Sequence, residues 1–265
     1  MYITNLKIGQ HVGIFTFAQI LELKNSVKRL LQGLLGFDTY LKVFARYKIS
    51  TLKKDKNEGD FFVFMSLLKD DGLILDVGAN LGIMTWHLLK NFHNAEVWAF
   101  EPIPENNKIL RAVTDKFKSD RFKIVDTALG DKIGTAKMVL PNVARVKMQG
   151  LSHVVHESID AFNEGDFYEV SMDTLDNLID DSKRVQGIKL DVENFEYFVL
   201  KGGEKLIERD KPIIYTELWP NENRQKCLEF IISKGYTIKV YTGDKLIDYS
   251  SETYTGQNFF FIPEK

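Results

Sequence analysis

The stretch LILDVGANLGIMTWHLL, residues 73–89, constrains the fold more than any other part of this 265-residue chain. An apolar run of strand length stops at Asp76, Gly78 and Gly82 bracket a short turn, and apolar residues then recur at helical spacing. A buried strand that passes through a glycine turn into a helix is the opening unit of a parallel α/β sheet. The alternation continues downstream. Strands are expected at Leu73–Val77, Glu96–Phe100, Phe122–Val125, Ile188–Leu190 and Ile213–Thr216, and helices at Ile83–Asn91, Glu105–Phe117, Phe195–Leu200 and Glu222–Lys234. Two closing strands, Tyr236–Tyr241 and Asn258–Ile262, have only a Gly- and Asp-bearing loop between them, which suits an antiparallel pair at one edge. The expectation is a doubly wound α/β sheet of seven strands, mostly parallel, with the last strand antiparallel.

Residues 1–59 read as an N-terminal helical extension and 60–265 as the α/β domain, with an insert at about 129–181. In the extension Leu23, Val27, Leu30, Leu31 and Leu34 recur at helical spacing, with Lys24, Lys28 and Arg29 between them. Between Lys42 and Lys56 six basic residues face one acid, Asp55. That run suits a surface for anionic substrates or membranes, or a cap helix on the core followed by a solvated basic linker; charge runs mostly face water, which favours the second. Within the insert, GDKIGTAKMVLP reads as a small hairpin and LSHVVHESIDAFNEGDFYEVSM as a loop with one more strand.

Composition narrows the function classes. Thirty-five Lys and Arg against 37 Asp and Glu give a net charge of −2, which does not point to nucleic acid. A lone cysteine, Cys227, forms no internal disulfide and no cysteine metal cluster, and suits a reducing cytoplasm. No run of 18 apolar residues suggests a membrane span, and the start lacks the basic and small-residue features of a signal peptide. The apolar extension offers a face on which two chains could pair.

In a doubly wound sheet, ligands sit beyond the carboxyl ends of the strands. Asp76, Glu101, Asp126, Asp191 and Glu217 all fall at such ends. Glu101 follows Gly82 by 19 residues, where an acid can accept hydrogen bonds from both ribose hydroxyls. A pyrophosphate needs the crowded N–H groups of G-x-G-x-x-G, and that pattern is absent, which weighs against an NAD-dependent oxidoreductase. A turn with Asp76 before it and Asn80 inside it suits a nucleoside ligand carrying an amino acid and a sulfonium.

The segments LDVGANLGIMTWHL, VWAFEPIPENNKIL, DTALGD, TLDNL, IKLDVENFEYFVLKGGEKLI and KPIIYTEL resemble, in order and spacing, the FkbM-type methyltransferases, a branch of the class I S-adenosylmethionine (SAM)-dependent enzymes. The resemblance covers roughly residues 60–218 and implies a Rossmann-like fold. It implies that Asp76, Gly78, Asn80 and Gly82 surround the methionine part of SAM, that Glu101 binds the ribose hydroxyls with Pro102 fixing the chain behind it, and that Asp126, Thr127 and Ala128 lie at the adenine. Asp126 could equally be a turn former. The implied activity is O-methylation of a hydroxyl on a sugar, glycan or natural-product acceptor. A non-catalytic SAM-binding or interaction module is the other reading.

Where the family reads Asp-Val-Glu-Gly this chain has Asp191, Val192, Glu193 and Asn194. Asn is, after Gly, the residue most at ease with positive φ, so the turn can survive the change. Asp191 is the first choice for orienting or deprotonating the acceptor hydroxyl, or else it caps the following helix. Glu217 is a second candidate, as a hydrogen-bonding group rather than a base. Histidine as a residue type suits a base at neutral pH, which makes His153 and His156 candidates, but as isolated loop histidines they are expected on the surface. No metal-site spacing is present.

Overall fold

The computed structural model describes residues 17–264 except 56, 118, 144, 145, 160 and 161; the side chains of 17–25 and 143 are also outside the description. Expectations for residues 1–16, for the Leu23 and Lys24 side chains and for Lys56 therefore lie outside the described residues. Two helices, α1 (Phe17–Leu35) and α2 (Phe37–Thr51), meet at Gly36, whose φ of 73° makes the break between them. A third helix, α3 (Phe61–Leu67), leads into the sheet.

The alternating region supplies β1 (Leu73–Val77), α4 (Ile83–Asn91), β2 (Glu96–Phe100), α5 (Pro104–Thr114) and β3 (Phe122–Val125). Next come the insert strands β4 (Ala128–Leu129), β5 (Gly134–Val143), β6 (Val146–Lys147), β7 (His153–Val154) and β8 (Gly165–Asp173), with α6 (Leu175–Leu178) behind them. The chain re-enters the main sheet through β9 (Val185–Leu190), α7 (Glu196–Gly202), α8 (Glu204–Asp210), β10 (Ile213–Glu217) and α9 (Glu222–Ser233). It closes with β11 (Tyr236–Tyr241), β12 (Leu246–Asp248) and β13 (Asn258–Pro263).

The main sheet runs β12-β11-β13-β10-β9-β1-β2-β3. The β3-to-β10 run is parallel, and β13 lies antiparallel between β10 and β11. The seven expected strands take a doubly wound, Rossmann-like order. An eighth, β12, adds to the edge because the closing loop folds back on β11. Chain order reverses between β1 and β9, which places the switch point there.

The central strand β1 is buried on both faces. Leu73, Leu75 and Val77 enter one core with Ile188 and Leu190, while Ile74 enters the other with Phe61, Phe64, Val97, Tyr215 and Phe260. The expected hairpin within GDKIGTAKMVLP does not form. Its residues from Gly134 onward run as one long strand, β5, antiparallel to β8 from Gly134↔Met172 to Pro141↔Gly165. Its paired residues lie from 24 (Pro141 and Gly165) to 38 (Gly134 and Met172) positions apart, so the Gly and Asp of the segment mark where β5 begins rather than a turn inside it.

This small sheet is fixed over the carboxyl ends of the main strands by a third core. Ala136, Met138, Val154, Val170 and Met172 meet Ile103, Ala128 and Phe195 there. α2 is anchored by Tyr40, Leu41 and Ala45 against Leu81 and Ile109. α1 is not: Leu30 and Leu34 are 61% and 73% exposed, so its apolar stripe does not pack on the core as a cap helix would.

Candidate active site

The turn after β1 explains its own spacing. Residues 78, 80 and 82 all take positive φ, at 76°, 51° and 77°, and are Gly, Asn and Gly. These are the residue types that tolerate that region. Gly78 also has no room for a side chain, since a Cβ would stand 1.8 Å from the Asp191 carbonyl oxygen at the end of β9. Four of the turn's N–H groups are engaged internally. Those of Gly78 and Ala79 donate to Phe100 O, that of Gly82 to Ala79 O, and that of Asn80 to Glu101 Oε2 at 2.8 Å.

Glu101 is the centre of this end. Its other oxygen accepts from Ile103 N at 2.8 Å and from Asn106 Nδ2 at 3.4 Å. Burial pushes its carboxyl up to about 7, against the pull of those N–H donors and of Lys189. Around it the side-chain oxygens Asn80 Oδ1, Asn106 Oδ1 and Gln149 Oε1 are buried and lack a hydrogen-bond partner among the described residues. All three residues line a cavity of about 450 Å³ at the switch point. This end of the cavity offers unpaired acceptors, which fits a ligand rich in hydroxyl and ammonium groups.

Of the other residues expected at the site, Pro102, Thr127 and Ala128 line the same cavity, as do Asp191 and Glu217. Asp76, Gly82 and Asp126 do not. Asp76 is fully buried beneath the turn, where it accepts from Thr85 Oγ1 and stands 3.5 Å from Lys189 Nζ. Gly82 begins α4 in the left-handed region, close to Leu110. Asp126 turns outward to pair with Arg111 at 2.8 Å and to accept from Asn107 Nδ2. The histidines are also away from the cavity lining. His153 is buried rather than on the surface, with its ring nitrogens on Leu151 O and Asn163 Oδ1, and His156 packs against Phe195 and Phe198.

The far end of the cavity is built by β9 and β10 with the extension. Lys189, buried at 4% exposure, lies across from Asp76 in the β1–β9 register. Its ammonium donates to Gly78 O at 2.8 Å and sits 3.5 Å from both Asp76 and Asp191. Burial works against its charge, but Asp191 and Asp76 hold its pKa above the ordinary value. Beyond Asp191 the chain is held at positive φ in Glu193 (55°) and Asn194 (76°). Asn194 does more than replace a glycine. Its Oδ1 accepts from Asn221 Nδ2 and its carbonyl from Asn223 Nδ2 at 2.9 Å, which ties this loop to the one after β10.

Asp191 does not cap α7. The N-cap is Phe195, without a side-chain bond, and Glu196 reaches back to Val192 N at 2.8 Å instead. Glu193 and Glu217 share the cavity with Asp191. Burial, reinforced by Asp191, raises both carboxyls, Glu217 to about 7 and Glu193 well above the usual range. The extension closes this end with Phe44, Lys48 and Glu58, the lysine bridging Asp55 and Glu58. Among the described residues no three His, Cys, Asp or Glu side chains are gathered as a metal site. No helix among them is long and apolar enough to cross a membrane.

Lys189, Asn106 and Gln149 were not singled out in the sequence. Lys189 sits inside the segment IKLDVENFEYFVLKGGEKLI, and its charge in an otherwise apolar strand is the available signal. Asn106 and Gln149 carry no such signal.

A family model described as the Methyltransferase FkbM domain matches residues 76–249, more than half of the sequence. The chain belongs to the FkbM methyltransferase family. Among solved structures this FkbM-family chain is similar to the methyltransferase FkbM of Methylobacillus flagellatus KT, at 16% identity and a TM-score of 0.54 over 92% of its own length. It spans 60% of that relative's length. A SAM-dependent O-methyltransferase of Thermotoga maritima is also similar, at 15% identity and a TM-score of 0.41, with coverage of 82% and 71% of the two chains. A search of curated proteins finds no match.

Proposed function

We propose that this chain is a SAM-dependent O-methyltransferase acting on a hydroxyl of a sugar, glycan or other natural-product small molecule. The observation that carries the reading is the turn after β1: it offers acceptors where a dinucleotide-binding turn offers donors. The N–H groups of Gly78, Ala79, Asn80 and Gly82 are already engaged, so they make no cradle for a pyrophosphate. Glu101 remains for ribose hydroxyls, and Asn80 with Gly78 for the methionine portion.

When bound, SAM supplies an electrophilic methyl group on its sulfonium. The chain's own part is to align the acceptor oxygen and to remove its proton. Asp191 stands 3.5 Å from the Lys189 ammonium and is suited to orienting the acceptor O–H. Glu217, raised to about 7 by burial and by Asp191, is the better proton acceptor at neutral pH. This reverses the ranking expected from the sequence. Glu217→Gln should lower kcat at least about a hundredfold with little change in cofactor affinity.

Calorimetry with S-adenosylhomocysteine tests the reading first, and folded protein that shows no binding would end it. Glu101→Ala should weaken that binding by about 1.5–3 kcal/mol, the cost of a charge-assisted hydrogen bond. The exposed leucines of α1 support pairing of two chains, which sedimentation of the wild type against Leu30→Asp would detect. The buried Cys227 suits a reducing cytoplasm.

A further inference from the structure

The short helical turn Gln149–Leu151 of the insert lies directly over the glycine turn. Asn80 Nδ2 donates to the Gln149 carbonyl at 3.3 Å, joining the two segments. Gln149 is 5% exposed, and it lines the cavity. Its Oε1 is buried without a hydrogen-bond partner among the described residues, and so is Asn80 Oδ1. An unpaired buried amide oxygen is costly, and native proteins keep few of them. Two from neighbouring segments on one cavity point to a shared donor that the protein does not supply. That donor carries several N–H or O–H groups, and an ammonium carries three.

We propose that Gln149 is a cofactor-binding residue: its Oε1, together with Asn80 Oδ1, receives the α-ammonium of the methionine portion of SAM. The assignment rests on the reading of the donor given above. It separates two tasks around the turn. Glu101 and Asn106 serve the ribose, while the Asn80–Gln149 pair selects a ligand that has an amino-acid tail. It also gives the insert a direct role, because the insert reaches the cofactor through this residue.

The test compares two ligands by calorimetry, S-adenosylhomocysteine and 5′-methylthioadenosine, which keeps the nucleoside and lacks the amino acid. Gln149→Leu should weaken S-adenosylhomocysteine about tenfold or more and leave methylthioadenosine within about twofold. Gln149→Glu keeps the acceptor and should hold or raise the affinity for S-adenosylhomocysteine. Equal losses on both ligands would overturn the assignment, since Gln149 would then act on the nucleoside or on the insert's packing. Unchanged affinity for both would overturn it too. If the wild type binds S-adenosylhomocysteine and Glu101→Ala weakens it while Gln149→Leu does not, only this inference falls. If the wild type binds neither ligand, the cofactor reading itself falls.

Discussion

Glu101 turns burial into pH dependence. Burial pushes its carboxyl up to about 7, and hydroxyl donors favour the ionised form. Ligand binding should therefore release a proton, and affinity for S-adenosylhomocysteine should rise as pH increases from 6 to 8, by roughly tenfold. Titration in buffers of different ionisation enthalpy would read the proton directly, and Glu101→Gln should flatten the profile. A flat profile in the wild type would show that Glu101 does not accept from the ligand. At Asn194 the prediction concerns stability. Gly would keep the backbone at φ 76° but lose the bond from Asn221, so Asn194→Gly should cost about 0.5–1.5 kcal/mol in denaturant unfolding. Ala has neither the bond nor the tolerance for that φ and should cost more.

The elements show where sequence could be read and where it could not. β1, α4, β2 and β3 fall where expected because each is bounded by a change in period or a glycine close to its ends. β5 departs from the expected hairpin because its partner, β8, lies far along the chain, so nothing local distinguishes a long strand from a hairpin. The same reason hides Gln149, whose importance is set by the turn beneath it. Asp76 shows the converse: a carboxylate at a strand end looks like a ligand group until the register pairs it with Lys189. α7 adds a prediction. Glu196 is 2% exposed, and burial raises its carboxyl to about 8. Below pH 4.5 both states hold the proton and the group contributes nothing to the balance. Between pH 4.5 and 8 only the unfolded chain releases it, so stability falls as pH rises, and above that the penalty is constant. Glu196→Gln keeps an acceptor for Val192 N and should remove part of this decline, making the variant more stable than wild type at pH 8 by at least about 1 kcal/mol.

At the scale of the whole molecule, both helices of the extension touch the body, but only α2 is built into it. Leu41→Ala, at a fully buried position against Leu81 and Ile109, should cost about 2–4 kcal/mol. The double change Leu30→Asp and Leu34→Asp should leave monomer stability within about 0.5 kcal/mol, because both residues face water. A large loss of stability at low concentration would show that α1 is packed after all. The placement of α2 also has a consequence for synthesis. Tyr40, Leu41 and Ala45 leave the ribosome well before Leu81 and Ile109, the residues that cover them. Until about seventy more residues have been made, at roughly 5–20 per second, that apolar face has no partner. The wall of the cavity that is translated first is thus the one that must wait, and a nascent chain stalled before α5 should expose it to chaperones.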